Sequence, residues 1–436
     1  MSTTKPSDPI AWKTIEELSE RHLGAVPPPS VLEVLKKSEN RRPEVRDFIE
    51  RMFRLGGIAR MHAADITAFD AMGLDILDRM LPGAWGTVPP VTGARRHERI
   101  DQYLRSNPWI TPQAGTVLLE MGCGFPPLTA VDAATTFPEW QVIGADPCFD
   151  EYMIYDERGN YACMDDRGAV RFFSSGPTNM AEFLSLMQNR DATITRFQNL
   201  FESLKRQLTP SKDSATVERE GSKLIYLPLR TYERANLRFI QSGIGAELPQ
   251  ADVIRCLNVL MYFDSDFRTK AEAWALHTLR PGGVFICGFN APGGTHARYT
   301  VYRREGDRLV AREFGFAVEL IRSFGGMWFA MHDDDREACF AAELVGILRS
   351  DDAFQKAHDG FLDQFLEEER LLRRQADGSL GPVPNPRPFQ ELMPVYERLL
   401  RTLERDFAPR AADILRKAGF EAWVNSVGHI AVKPQP

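Results

Sequence analysis

Apolar positions along the chain change their period several times, and each change predicts a different kind of element. Ile15, Leu18 and Leu23, then Val31, Leu32, Val34 and Leu35, recur at helical spacing, interrupted by Pro27-Pro28-Pro29. Phe48, Met52 and Leu55 share one side of a further helix over about 46–55. Pro82, Gly83, Pro89, Pro90 and Gly93 then mark a loop. Residues 1–107 are therefore expected to form a helical accessory unit.

The helical period stops at Thr116-Val117-Leu118-Leu119, a continuous apolar run. Such a run suits a parallel strand buried on both faces. Leu128, Val131, Ala134 and Phe137 restore helical spacing, and a second strand over 140–145 ends at Asp146. Strands over 237–241, 252–257 and 284–288 and a helix over 265–279 continue the alternation. The expected fold class is α/β: a Rossmann-like, mostly parallel sheet with helices on both faces, its core spanning 108–298.

Residues 150–235 break this alternation. A hairpin turning at Asp165-Asp166-Arg167-Gly168, a helix over 180–208 and a polar loop over 209–221 predict a cap inserted over the sheet's carboxyl edge. Residues 299–408 are expected to add a hairpin turning at Glu305-Gly306-Asp307 and a helical insertion. Residues 409–436 return to the core with a helix over 411–418 and strands over 421–432.

A chain of 436 residues is too long for one simple core and suits two or three packed units. Its net charge of -7 repels phosphate backbones, so no nucleic acid partner is expected. No run of about 18 apolar residues predicts a membrane span. Cys123, Cys148, Cys163, Cys256, Cys287 and Cys339 form no close pair, and the expected compartment is the reducing cytoplasm. The basic run Arg95-Arg96-His97-Glu98-Arg99 reads first as a solvated helix start, and alternatively as a gate beside an anionic group.

The chemistry concentrates where the first apolar strand ends, at Glu120-Met121-Gly122-Cys123-Gly124. Glycines let backbone approach a ligand, and the helix that follows presents its positive end. Asp146, 22 residues after Gly124, is placed to accept ribose hydroxyls. The third glycine of a dinucleotide site is absent, and Pro126 and Pro127 remove two amide donors. Glu120 would repel pyrophosphate and suit an ammonium. S-adenosylmethionine, with an ammonium and no phosphate, is the expected cofactor.

The segment 120–124 together with Asp146 resembles motif I and the following acidic motif of class I S-adenosylmethionine-dependent methyltransferases. Residues 279–285 look like that family's turn before its fifth strand. Residues 251–264 are similar to the fourth-strand motif of chemotaxis receptor methyltransferases. The resemblance covers about 110–148, 237–290 and 411–433. It implies that Glu120, Gly122, Cys123 and Gly124 hold the methionine end, and that Asp146 binds the ribose with Pro147 and Cys148 beside it. It further implies that Gly243 and Ile244 line the adenine and that Leu257 and Asn258 sit near the transferring methyl. The implied activity is methyl transfer by in-line displacement.

Methyl transfer needs alignment and water exclusion first, and a base only where the acceptor must lose a proton. His296, just past the fifth strand, is a candidate base, set against a surface histidine. Tyr262, four residues after Asn258, is a candidate to face the cleft, set against a packing tyrosine. Tyr152 and Tyr155 are candidates to cover the cofactor. His332-Asp333-Asp334-Asp335 reads as a solvated loop, and no metal is expected. The insertions predict an enclosed pocket and a small or medium-sized acceptor. A protein carboxyl methyltransferase and a non-catalytic cofactor-binding regulator stand as the alternatives.

Overall fold

The continuous apolar runs become central strands, because only a strand covered on both faces can bury every side chain it carries. The computed structural model describes residues 12–39, 43–67, 70–71, 93–110, 113–149, 151–176, 180–209, 213–291, 296–324, 330–383 and 389–434. Helices α1 (Ile15–Leu23), α2 (Pro29–Leu35) and α3 (Pro43–Ile58) open the chain, and α4 (Glu98–Arg105) precedes the first strand. The first half of the core comprises β1 (Val117–Met121), α5 (Leu128–Thr136) and β2 (Gln141–Asp146). The expected loop over 82–93 lies almost wholly outside the described residues.

After β2 the chain forms β3 (Tyr152–Tyr155), β4 (Tyr161–Met164), β5 (Val170–Ser174), α6 (Met180–Gln188), α7 (Arg190–Lys205), β6 (Ala215–Arg219) and β7 (Ser222–Tyr226). The hairpin over 161–173 is present, with Ala162 opposite Phe173. The rest of this segment differs from expectation. The helix over 180–208 is two helices, and the polar stretch 209–221 contains β6. Together these strands make a five-stranded antiparallel sheet in the order β5-β4-β3-β7-β6. Period-2 alternation in short polar strands such as Ala215–Arg219 exposes one face and leaves little apolar signal to read.

The core resumes with β8 (Leu237–Gln241), β9 (Ala251–Leu257), α8 (Ser265–Thr278) and β10 (Leu279–Phe289). Asp264 caps α8 by accepting from the Phe267 amide at 2.9 Å. Then follow β11 (Arg298–Glu305), β12 (Arg308–Phe316), α9 (Arg336–Leu348), α10 (Asp352–Glu368), β13 (Leu372–Arg374), β14 (Leu380–Pro382), α11 (Phe389–Asp406), α12 (Ala408–Lys417), β15 (Ala422–Val424) and β16 (Ile430–Val432). Among the described residues the main sheet has nine strands in the order β15-β16-β12-β11-β10-β9-β1-β2-β8. The five from β10 to β8 run parallel, and the four from β15 to β11 are antiparallel. The fold class is therefore α/β, as the apolar pattern predicts.

The opening helices do not form a core of their own. Trp12, Ile15, Phe48 and Phe53 belong to one apolar cluster with Leu118, Val253, Val301 and Val432. Polar ties reinforce that packing. Arg51 pairs with Asp333 at 2.9 Å, and Asp65 pairs with Arg349. In the 332–335 run Asp333 and Asp334 are exposed, as a solvated loop predicts, but both are ion-paired, and Asp335 is buried. Asp334 pairs with Arg268 at 2.7 Å, and Asp335 caps α9 at the Ala338 amide.

Candidate functional site

The direction in which the chain leaves β1 positions the site. β2 and β8 lie on one side of β1, and β9 and β10 on the other. Open parallel sheets bind ligands in the crevice outside the carboxyl ends at such a switch point. Gly122 and Gly124 stand at that end with φ of 70° and 65°. The left-handed region is open to glycine and costly for other residues. The Gly122 amide donates to Ala145 O at 2.8 Å, which ties the turn to β2.

Asp146 closes the other side of the turn. Its carboxylate accepts from the Gly124 amide at 3.0 Å and from the Cys148 amide at 2.9 Å. Burial raises its carboxyl above the usual range, and these two amides partly oppose that shift. Each carboxylate oxygen has more than one lone pair, so both retain capacity toward a hydroxyl at the rim. Glu120 and Asp146 thus lie on adjacent strands at one edge, Glu120 being paired in register with Gly144.

Glu120 corrects the expected role. The register also pairs Glu120 with Arg255 on β9, so both side chains leave the same face of the sheet. Arg255 Nε is ion-paired with Glu120, Nη1 with Asp101 of α4, and Nη2 donates to Thr129 O at 3.2 Å. Arg255 is 0% exposed and Glu120 1%. Burial works against the guanidinium charge, but the two carboxylates raise its pKa above the ordinary value. His97 Nε2 stands 3.6 Å from Glu120, and burial, with Arg255 and Arg96 nearby, holds that imidazole neutral. The carboxylate expected to meet an ammonium is instead half of an ion pair beneath the turn.

The α5 N-terminus offers less than a standard nucleotide helix. Pro126 and Pro127 carry no amide, and the Leu128 amide donates to Pro126 O at 2.8 Å. Cys123 and Phe125 are fully buried. Phe125 packs with Met153 and Cys163 of the inserted sheet, so the insertion docks on the glycine turn itself. Val259 stands over Gly122, where a Cβ would overlap its Cγ2. Tyr152 packs on Phe201 and Tyr226 within the insertion, which accounts for it without a ligand. Tyr155 likewise lies beside Tyr161 and under Lys223.

The remaining rim residues come from the ends of β2, β8 and β9. Pro147 is exposed, and a Cβ on Gly243 would stand 3.7 Å from its ring. Ile244 packs against the apolar layer on the α8 face of the sheet. Leu257 is 3% exposed and belongs to the core, so only its backbone reaches the edge. Asn258 has φ of 60° and clamps β9 to β10: its Nδ2 donates to Asn290 Oδ1 at 2.7 Å, and its Oδ1 accepts from the Asn290 amide at 3.1 Å.

Arg96 joins this clamp. Its Nη2 donates to Asn290 O at 3.3 Å, and its own carbonyl accepts from Asn290 Nδ2 at 2.8 Å. The basic run at 95–99 is therefore not uniformly solvated. Arg95 is exposed, His97 is buried, and Arg96 leans over the end of β10. Tyr262 sits in a single turn over 260–262 rather than in a continuing helix. Burial pushes its phenol up to about 12, with Arg96 opposing the shift. At neutral pH it keeps its proton, so it suits a hydrogen-bond donor better than a base. His296 lies past β10 with φ of 49°, its amide held by Glu319 Oε1 at 2.8 Å.

Sequence reasoning missed Arg255, Asp101 and Asn290, and named His97 only within the basic run. One signal was available: a lone arginine inside the apolar run 251–257 must find a buried anion in the fold.

A second buried acid lies under β10 and β11. Glu337, in the first turn of α9, accepts from the Thr300 hydroxyl at 2.9 Å and lies 3.7 Å from the Cys287 thiol. Burial, then Asp335, raises its carboxyl to about 7. The folded chain thus keeps a proton that the unfolded chain loses above the ordinary value of 4.5. Its stabilising contribution is complete below that value and is lost as pH rises through about 7. The thermal midpoint of wild type is expected to fall between about pH 5 and 7.5, and Glu337→Gln to flatten that slope. Parallel slopes in the two proteins would refute this.

No family model and no curated protein matches the chain. Among solved structures it is similar to an O-methyltransferase family 2 protein from Planctomyces limnophilus in complex with apigenin, with 11% identity and a TM-score of 0.24, covering 92% of this chain and 64% of that one. It is also similar to CalO1, a methyltransferase in calicheamicin biosynthesis, with 9% identity, a TM-score of 0.21 and 46% of this chain covered. A third is PKMT2 from Rickettsia typhi in complex with AdoHcy, with 13% identity, a TM-score of 0.20 and 46% of this chain covered. The chain spans 38% of CalO1 and 25% of PKMT2. The α/β fold class rests on the chain's own strand order and register.

Proposed function

We propose that this chain is an S-adenosylmethionine-dependent methyltransferase acting on a small or medium-sized acceptor. The observation that carries the reading is Asp146. A carboxylate at the end of β2 holds the Gly124 amide at 3.0 Å beside two left-handed glycines, at the switch point of a parallel sheet. That arrangement suits a ribose diol on Asp146, with Pro147, Gly243 and Ile244 beside the base. The absence of amides at Pro126 and Pro127 disfavours pyrophosphate and costs a phosphate-free nucleoside nothing.

The amino-acid end fits with one revision. Glu120 is engaged by Arg255, so its part is to fix the turn from below. Arg96, at the end of β10, is the basic group available to a carboxylate there. When bound, the cofactor supplies a methyl group already activated by a sulfonium. The protein's share is orientation: Asn258 and Asn290 hold the ends of β9 and β10 together, and the inserted sheet covers the turn against water. Tyr262 donates a hydrogen bond at the cleft. His296 is our candidate to accept a proton if the acceptor must lose one.

Calorimetry tests the reading directly. Wild type is expected to bind S-adenosylmethionine or its demethylated product, and Asp146→Ala to lose about 1–3 kcal/mol of that affinity by leaving polar partners unpaired. A folded Asp146→Ala protein with unchanged affinity would overturn the ribose contact. A wild type that binds neither compound would overturn the function.

A further inference from the structure

We propose that the chain carries a second small-molecule site, between the end of α4 and the β12–β15 edge of the sheet, that takes a small organic cation with an apolar body. A cavity of about 520 Å³ opens there, lined by Tyr103, Trp109, Arg312, Glu313, Trp423 and Asn425. It is not part of the glycine-turn site. β12 lies four strand positions from β1, about 19 Å at the usual strand spacing.

A break in the strand register builds this cavity. Val301 of β11 pairs with Glu313 but Tyr302 pairs with Ala311, so Arg312 is an extra, unpaired residue. Such a bulge re-aims side chains that would otherwise alternate between faces. Here it turns both Arg312 and Glu313 into one cavity.

The charges then decide what fits. Arg312 is ion-paired with Glu305, and Lys433 at the mouth pairs with Glu421 at 2.9 Å. Glu313 is 2% exposed and has no cationic partner among the described residues. Its carboxylate accepts from Asn425 Nδ2 at 2.9 Å, an amide that also donates to the Tyr299 hydroxyl at 2.8 Å. Burial raises the Glu313 carboxyl, with Asn425 and Tyr103 partly opposing. A buried carboxylate without a counter-ion is costly, and a cation entering the cavity would relieve that cost. The half-buried rings of Trp109 and Trp423 suit the apolar body of such a ligand and the face of its ammonium.

Three probes of one shape test the proposal on the full chain: phenethylamine, phenethyl alcohol and phenylacetate, followed by calorimetry and tryptophan fluorescence. Phenethylamine is expected to bind about tenfold or more tightly than the other two. Glu313→Gln is expected to lose that preference, and Trp423→Ala, at the rim, to weaken phenethylamine severalfold. Asp146→Ala should leave it unchanged, which separates this site from the glycine turn. Equal binding of amine and carboxylate, no binding of the amine, or full amine affinity in either cavity variant would overturn the proposal.

Discussion

Replacing Arg255 by Met is expected to destabilise the chain by about 3–5 kcal/mol, measured by urea unfolding, without touching the rim of the site. Arg255 is fully buried and answers two carboxylates, Glu120 beside it on β1 and Asp101 above it on α4. Removing the guanidinium leaves both buried acids without their cation. The loss is therefore mostly the cost of abandoned carboxylates rather than the worth of the bonds. Neutralising the acids as well, in Arg255→Met with Glu120→Gln and Asp101→Asn, is expected to recover the larger part. A single variant that loses under about 1 kcal/mol would show that these charges are not buried together as described.

Gly122→Ala is expected to cost about 2–5 kcal/mol and to abolish cofactor affinity. Two terms add. A residue with a Cβ is penalised by about 1–2 kcal/mol in the left-handed region, and Gly122 has φ of 70°. The new methyl also overlaps Val259 Cγ2, and overpacking of this kind costs about 1–3 kcal/mol. The terms separate in a double variant. Val259→Ala removes the overlapping methyl, while the Val259 Cβ already stands 3.7 Å from the position of the new atom. The double variant should regain stability but not all of it, because the backbone term remains. Full recovery would mean that the turn tolerates a side chain. No loss in the single variant would mean that the turn is not held as described. Calorimetry on the same variants reads the binding half of the claim.

Both predictions concern the same architecture from opposite sides. Arg255 fixes the floor of the turn and Gly122 is its narrowest point. On the proposed function, the site's chemistry depends on the turn more than on any single reactive group, since methyl transfer needs alignment above all.

Much of this was legible from the residues alone. The continuous apolar run at 116–119 and the largely apolar stretch at 252–257 announce strands covered on both faces, whatever their neighbours. Gly122 and Gly124 announce a left-handed turn because few other residues accept that backbone. Asp146 announces an acid at a strand end because the run before it stops there. Glu305-Gly306-Asp307 marks the β11–β12 hairpin for a similar local reason. What these signals share is that their physics acts over a few residues, through backbone sterics and the period of burial.

Other features depend on which surfaces meet, and the linear order does not carry that. Glu120 read as a ligand contact because its partner lies 135 residues away, and only the parallel register of β1 and β9 puts the two on one face. The run at 95–99 read as a solvated helix start because nothing local shows Asn290 or Glu120 closing over it. In the insertion β6 and β7 are half-exposed and β3 is only four residues long, so they carry no clear apolar period, and a five-stranded sheet reads as one hairpin, a helix and a loop. Nothing in the residues around Glu313 marks it as buried; the bulge at Arg312 turns it inward. Buried charge and shared cavities are properties of pairs of distant segments, so the chain settled the elements and their turns, and tertiary packing settled which charges are paired and which stand alone.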